Sequence, residues 1–224
     1  MEEKVRADRI FDVLRRTYPD AGCALHFTNA YELLVATVLS AQCTDERVNK
    51  VTPGLFGRCP SPREMAEIDE WELQDLIRST GFFRHKAGNL KRACAMIQSE
   101  YNGKVPDEMA ALLRLPGVAR KTANVILGNV FGKAVGVVVD THVKRLAGRM
   151  GLSHEKTPEK IEKDLMDLYP RNRWTLLSHL LIVHGRRVCS ARAPSCLDCP
   201  VEDVCPKSGV AGIGGKTNAA GSRT

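Results

Sequence analysis

Four cysteines constrain this chain more than any other feature: Cys189-x6-Cys196-x2-Cys199-x5-Cys205. They sit in one continuous stretch that Pro194, Pro200 and Pro206 stiffen. Four thiolates so close in sequence can wrap a compact centre with a single loop. All-thiolate coordination suits an iron–sulfur cluster or zinc. Structural zinc sites usually present two close pairs with a longer spacer. Here Cys196 and Cys199 form the only close pair, and the flanking spacings are six and five. The pattern therefore favours a 4Fe–4S cluster. Cys23, Cys43, Cys59 and Cys94 share no ligand spacing. Cys43 and Cys94 fall in helical segments and read as small buried hydrophobes.

Helical periodicity dominates the rest. Ala7, Ile10, Phe11 and Leu14 follow i, i+3, i+4, i+7 spacing. Tyr31–Leu39 is strongly apolar, and Ala87, Leu90, Ala93, Cys94 and Ile97 mark a further helix with Lys86, Lys91 and Arg92 at polar positions. Asp107 reads as a cap for a helix over 108–113. Val135–Val139 is the single strand-like piece. An all-α fold of about ten helices with short connections follows. Hydrophobic residues make up 43% of the 224, enough to bury a core. No apolar run approaches the ~18 residues of a membrane helix. Met1 to Ile10 is mostly charged, with no signal-peptide core behind it. The expectation is a soluble cytoplasmic monomer, in which eight cysteines argue for metal or reactive thiols over disulfides. Residues 208–224 lack anchoring apolar side chains and read as a disordered tail.

A second signal is Leu115-Pro116-Gly117-Val118-Ala119-Arg120-Lys121-Thr122. Pro and Gly between two apolar helices make a tight hairpin. The amides of Gly117, Ala119, Arg120 and Thr122, at a helix start, suit a phosphate. Such a contact positions a nucleic-acid backbone without reading its sequence. Lys121 sits at that helix start, where the dipole, Arg120 and partial burial disfavour a protonated ammonium. A neutral lysine amine forms Schiff bases; a plain phosphate contact is equally open. A third signal is Val139-Asp140-Thr141-His142. Asp140 is either the N-cap of the helix that follows or a carboxylate that balances a cationic transition state. The net charge of +7 is compatible with a polyanionic partner.

These signals, together and in this order, closely resemble the endonuclease III family of DNA glycosylase/AP lyases, within the helix-hairpin-helix-GPD superfamily. The resemblance spans roughly residues 1–207 and includes Ser40-Ala41-Gln42-Cys43-Thr44-Asp45. It implies that Lys121 attacks the sugar C1′ and expels a damaged base, an oxidised pyrimidine, from double-stranded DNA. It implies that Asp140 stabilises positive charge on the sugar and assists proton transfer. β-Elimination then cuts the strand. Gln42 matches a residue that fills the gap left by the flipped nucleotide, and Phe82 stands where the family commonly has a leucine wedge. His142, Arg145, Arg186 and Arg192 are further candidates for DNA contact, with Lys144 and Arg187 beside them. The four cysteines would hold the 4Fe–4S cluster as a structural support.

The chain departs from the family in having Ala119 at a usual glycine, and fewer basic residues in the cysteine loop. The implied architecture is two helical lobes with DNA in the cleft between them, Lys121 and Asp140 facing each other at its mouth. Residues 23–132 would carry the helix-hairpin-helix motif; residues 1–22 plus 133–207 would carry the cysteine loop. Two alternatives compete. One is a mismatch glycosylase of the same superfamily without lyase chemistry, which typically lacks a lysine at position 121. The other is a non-catalytic DNA-binding iron–sulfur protein, which has no use for both Lys121 and Asp140.

Overall fold

The computed structural model describes residues 2–210, so most of the predicted tail lies outside the described residues. Within it, residues 208–210 are held: the Ser208 amide donates to Arg149 O (3.1 Å). Among the described residues every regular element is a helix. The Val135–Val139 piece finds no partner strand. Its Val138 amide donates instead to Ser178 Oγ (2.9 Å), which satisfies a backbone donor that a lone strand leaves open. None of the described helices is long and apolar enough to cross a membrane.

Two compact units divide the chain. One comprises residues 21–138 and 170–179. It contains α2 (Ala30–Leu39), α3 (Asp45–Arg58), α4 (Pro62–Glu67), α5 (Glu70–Ile77), α6 (Phe83–Tyr101), α7 (Met109–Arg114) and α8 (Arg120–Asn129). Its core is built on α2, where Leu33, Leu34, Val35, Ala36 and Leu39 are all fully buried. That explains why α2 has no polar face to read. Side-chain caps set the helix starts: Asn29 accepts from the Glu32 amide, Thr44 from Arg47 and Asp69 from Trp71. Asp107 is not the cap the sequence predicts. The helix starts at Met109, and the Asp107 carboxylate is taken by Lys133. Cys94 is buried within α6, but Cys43 is only half-buried and lies in the turn before α3, not in a helix.

The other unit comprises residues 2–20, 139–169 and 180–210. It holds α1 (Glu3–Thr17), α9 (Thr141–Arg149), α10 (Pro158–Leu168) and the later part of α11 (Trp174–Arg187). Ala7, Ile10, Phe11 and Leu14 are buried as their spacing requires, and the Tyr169 hydroxyl donates to Ala7 O (3.0 Å).

The unit boundaries differ from the sequence reading. Residues 21–22, 133–138 and 170–179 belong with the hairpin unit. The reasons are local: Arg171 Nε donates to Ala134 O (2.6 Å), His179 Nε2 meets Asn129 Oδ1 (2.8 Å), and Thr175 stands so close to Gly128 that a Cβ there would lie 2.8 Å from its Oγ1.

Candidate active site and metal centre

In the hairpin unit, α7 and α8 are joined by a turn whose Leu115 and Val118 side chains are buried. The Val118 amide closes onto Leu115 O (3.1 Å). Gly117 has φ +81, and a Cβ on it would lie 3.0 Å from Asn89 Cβ and Nδ2 of α6. Backbone conformation and space both demand glycine here. Ala119 has φ −93 and ψ 171, an extended conformation ordinary for alanine, so the missing second glycine brings no strain. No side chain caps α8, and its amino end keeps the positive character of a helix dipole. Arg120 and Lys121 are exposed and Thr122 is half-buried. The partial burial that the sequence reading ascribes to Lys121 is therefore absent.

Gln42 and Phe82 belong to the same unit and share an unusual conformation. Their φ angles are +53 and +47, in the left-handed region. For residues with a Cβ this costs roughly 1–2 kcal/mol each, and such strain collects at functional positions. Both side chains are exposed, Phe82 at 68%. Phe82 is thus no core aromatic. Gly81 before it has φ +72, and His85 after it is an exposed histidine beside Asn89 Nδ2 (3.3 Å).

Lys86 lies one turn further along α6. The sequence reading assigns it to the polar face, yet it is only 4% exposed. Its Nζ donates to Leu39 O and to Thr80 O, both at 2.8 Å. The signal was in the spacing: Lys86, Leu90, Ala93 and Ile97 lie on one helical stripe.

In the other unit, Asp140 is half-buried at the start of α9, and its Oδ1 accepts the Val143 amide (2.8 Å). The carboxylate is the N-cap, and that bond fixes its orientation. His142 Nδ1 faces Arg145 Nη2 (3.0 Å) and must be the acceptor. Arg145 also donates to Gly185 O (3.0 Å) and Cys189 O (3.0 Å), so its guanidinium faces the protein's own backbone rather than solvent. A Cβ on Gly185 would lie 2.9 Å from His142 Nδ1, so glycine is needed there too. Arg186 and Arg192 are exposed. Arg187 lies over the Tyr18 ring (5.6 Å).

Cys189, Cys196, Cys199 and Cys205 line one small pocket. None of the eight cysteines is in a disulfide. Burial pushes the Cys199 thiol up to about 11, and the neighbouring Cys205, Cys189 and Cys196 add to the rise. Cys205 is raised chiefly by burial as well. Four such groups share one small volume only as thiols or around a cationic centre. Polar groups approach the sulfurs: Arg149 Nη1 donates to Cys189 Sγ (3.3 Å), and His184 Nε2 lies 3.5 Å from Cys199 Sγ. His184 Nδ1 meets the Tyr18 hydroxyl (2.8 Å), and burial lowers this histidine to about 4. Among the described residues, no three His, Cys, Asp or Glu side chains converge to hold a single metal ion.

Comparison with known proteins decides what these pieces belong to. Residues 35–171 match the HhH-GPD family, described as a superfamily of base excision DNA repair proteins. Endonuclease III of Synechocystis sp. is 52% identical over 92% of this chain and 94% of its own. Endonuclease III of Escherichia coli K12 is 38% identical over 90% and 95%. The chain belongs to the endonuclease III family. A solved structure of a trapped endonuclease III–DNA covalent intermediate superposes with a TM-score of 0.88, at 41% identity over 92% of this chain and 97% of that one. As an endonuclease III, the chain is a base-excision-repair DNA glycosylase with AP lyase activity, and DNA is its partner. Membership of the endonuclease III family also points to a metal cluster.

Proposed function

We propose that this endonuclease III excises oxidised pyrimidines from duplex DNA as a cytoplasmic monomer, with Lys121 as the nucleophile and Asp140 as the assisting carboxylate. The observation that carries the reading is the placement of Lys121. It is exposed on the first turn of an uncapped helix, behind a turn that only glycine at 117 permits. That turn holds the DNA backbone through the amides of Gly117, Ala119, Arg120 and Thr122, and so brings a phosphate beside the amine. The Lys121 amine adds to C1′ as the C1′–N bond to the base breaks, and the base leaves with a proton. Ring opening gives an imine between Lys121 Nζ and C1′. The imine draws electrons from C2′, a C2′ proton is lost, and the C3′–O bond breaks. Asp140, fixed by its cap bond to Val143, bears negative charge against the cationic sugar and relays protons.

Extrusion of the damaged nucleotide precedes this chemistry, because C1′ is closed off inside the stack. Gln42 and Phe82 fill the space left behind, and their exposure and strained backbone support that role. His142, Arg145, Arg186 and Arg192 complete the proposed contacts. Of these, Arg192 on the cysteine loop is the exposed cation best suited to a phosphate, whereas Arg145 acts through the loop backbone it binds. Cys189, Cys196, Cys199 and Cys205 hold a 4Fe–4S cluster. Four thiols lining one pocket fit such a cluster, and the single close pair Cys196 and Cys199 departs from the two-pair spacing usual for structural zinc. Held there, such a cluster would supply the positive charge that lets four buried thiolates coexist.

Borohydride added during reaction with a duplex carrying an oxidised pyrimidine reduces the imine and traps it. A covalent protein–DNA adduct should form and vanish in Lys121→Ala. Absence of any adduct, with the lesion or with an abasic site, would sink the lysine mechanism. Asp140→Asn should lose turnover by about a hundredfold or more while still binding DNA; unchanged turnover removes Asp140 from the chemistry.

A further inference from the structure

Among the described residues, Lys86 is the one buried lysine. A buried ammonium is unfavourable unless its donors are satisfied, and here its partners are carbonyl oxygens rather than carboxylates. Those oxygens belong to two particular places. Leu39 is the last residue of α2, and the turn that follows carries Gln42. Thr80 ends a 3-10 turn over Arg78–Thr80, and Phe82 follows it by two residues. The Lys86 amide also donates to Phe82 O (3.1 Å). One residue therefore grips both turns: Leu39 O and Thr80 O through its ammonium, Phe82 O through its backbone.

Both turns carry a left-handed residue with a side chain, at φ +53 and φ +47. That conformation persists only where the surroundings impose it. Carbonyls at the end of α2 also carry the negative end of its dipole, which favours a cation at that point.

We propose that Lys86 is a positioning residue for entry into DNA: by tying Leu39 O to Thr80 O it holds Gln42 and Phe82 in a fixed mutual register, so that both enter the duplex at one lesion. This rests on the reading that Gln42 and Phe82 occupy the space left by the flipped nucleotide. A rigid pair enters the stack without first having to be ordered, so the cost of extrusion is met by groups already in place.

Two measurements on the full-length protein test this. The first is amide hydrogen exchange in Lys86→Met, which keeps the length and removes the charge and the donors. Exchange over residues 40–44 and 79–83 should accelerate about tenfold or more, with α8 unchanged. Unaltered protection at both turns overturns the proposal. The second is base excision. Lys86→Met should slow excision from duplex DNA at least about tenfold, but leave borohydride trapping on a single-stranded abasic site unchanged, because there is no partner strand to part from. In a Gln42→Ala/Phe82→Ala background, Lys86→Met should add no further loss. An equal further loss there would show that Lys86 acts elsewhere and overturns the proposal. If Gln42→Ala/Phe82→Ala itself excises like the parent, the insertion reading fails, and with it the role of Lys86 in DNA entry; faster exchange would then still establish the tie between the turns. Should Lys86→Met not fold, Lys86→Gln, which reaches one carbonyl at most, takes its place with the same readouts.

Discussion

Gly117 shows how much one residue can decide. Its φ of +81 and the 3.0 Å gap to Asn89 leave no room for a Cβ, and the turn it permits starts the helix that bears Lys121. Gly117→Ala should lower stability by about 1–3 kcal/mol, from left-handed strain plus the push against α6. Thermal melting checks the stability loss, and weaker capture of DNA should accompany it. This residue was legible beforehand, because Pro-Gly between two apolar helices has few structural solutions. Asp140 was legible as a cap for the same kind of reason. Lys86 was legible only through its helical stripe with Leu90, Ala93 and Ile97; the Leu39 carbonyl it holds, 47 residues away, was not. Arg145 is similar: its own stretch of sequence does not show that its donors go to Gly185 O and Cys189 O.

At the scale of elements, α9 has two distinct ends. Asp140 caps its start, and Arg149 near its finish donates to Ser190 O (2.6 Å), Ala191 O (2.8 Å) and Cys189 Sγ (3.3 Å). A nine-residue helix thus joins the candidate carboxylate to the cysteine loop. Arg149→Met should destabilise the protein by about 2 kcal/mol, since hydrogen bonds from a charged donor are lost at the partly buried Ser190 O and Cys189 Sγ. It should also lower the iron bound per polypeptide, measured by metal analysis and visible absorbance; full iron occupancy with an unchanged melt would refute the link. Cys199→Ala should likewise impair folding or DNA binding before chemistry, and a soluble, cluster-free variant with full activity would overturn the structural role of the centre. Helix positions were legible because apolar spacing and caps are local. The strand-like reading of Val135–Val139 failed because a strand needs a partner that periodicity cannot supply, and Ser178 satisfies the backbone instead.

For the whole molecule, the excess of 33 basic over 26 acidic residues sets how DNA is first met. Binding should weaken with salt, log K falling linearly against log salt with a slope of about −0.9 per phosphate neutralised. Arg192→Ala should make that slope shallower by about one if Arg192 meets a phosphate; an unchanged slope removes it from the contacts. The segment boundaries of the two units were only partly legible, because residues 170–179 join the hairpin unit through side-chain pairs such as His179 with Asn129.

The threading of the units also sets an order of assembly during synthesis. The unit that contains Cys189, Cys196, Cys199 and Cys205 is made of three separate stretches. As the ribosome delivers the chain, α1 emerges first with Ala7, Ile10, Phe11 and Leu14 on one face, yet Tyr169 and the residues after 180 that complete its unit come more than a hundred residues later. The α2 core, built largely from residues 25–127, has its parts in hand well before then. The nascent protein therefore carries an apolar α1 face that waits for its partners after the α2 core already has its parts.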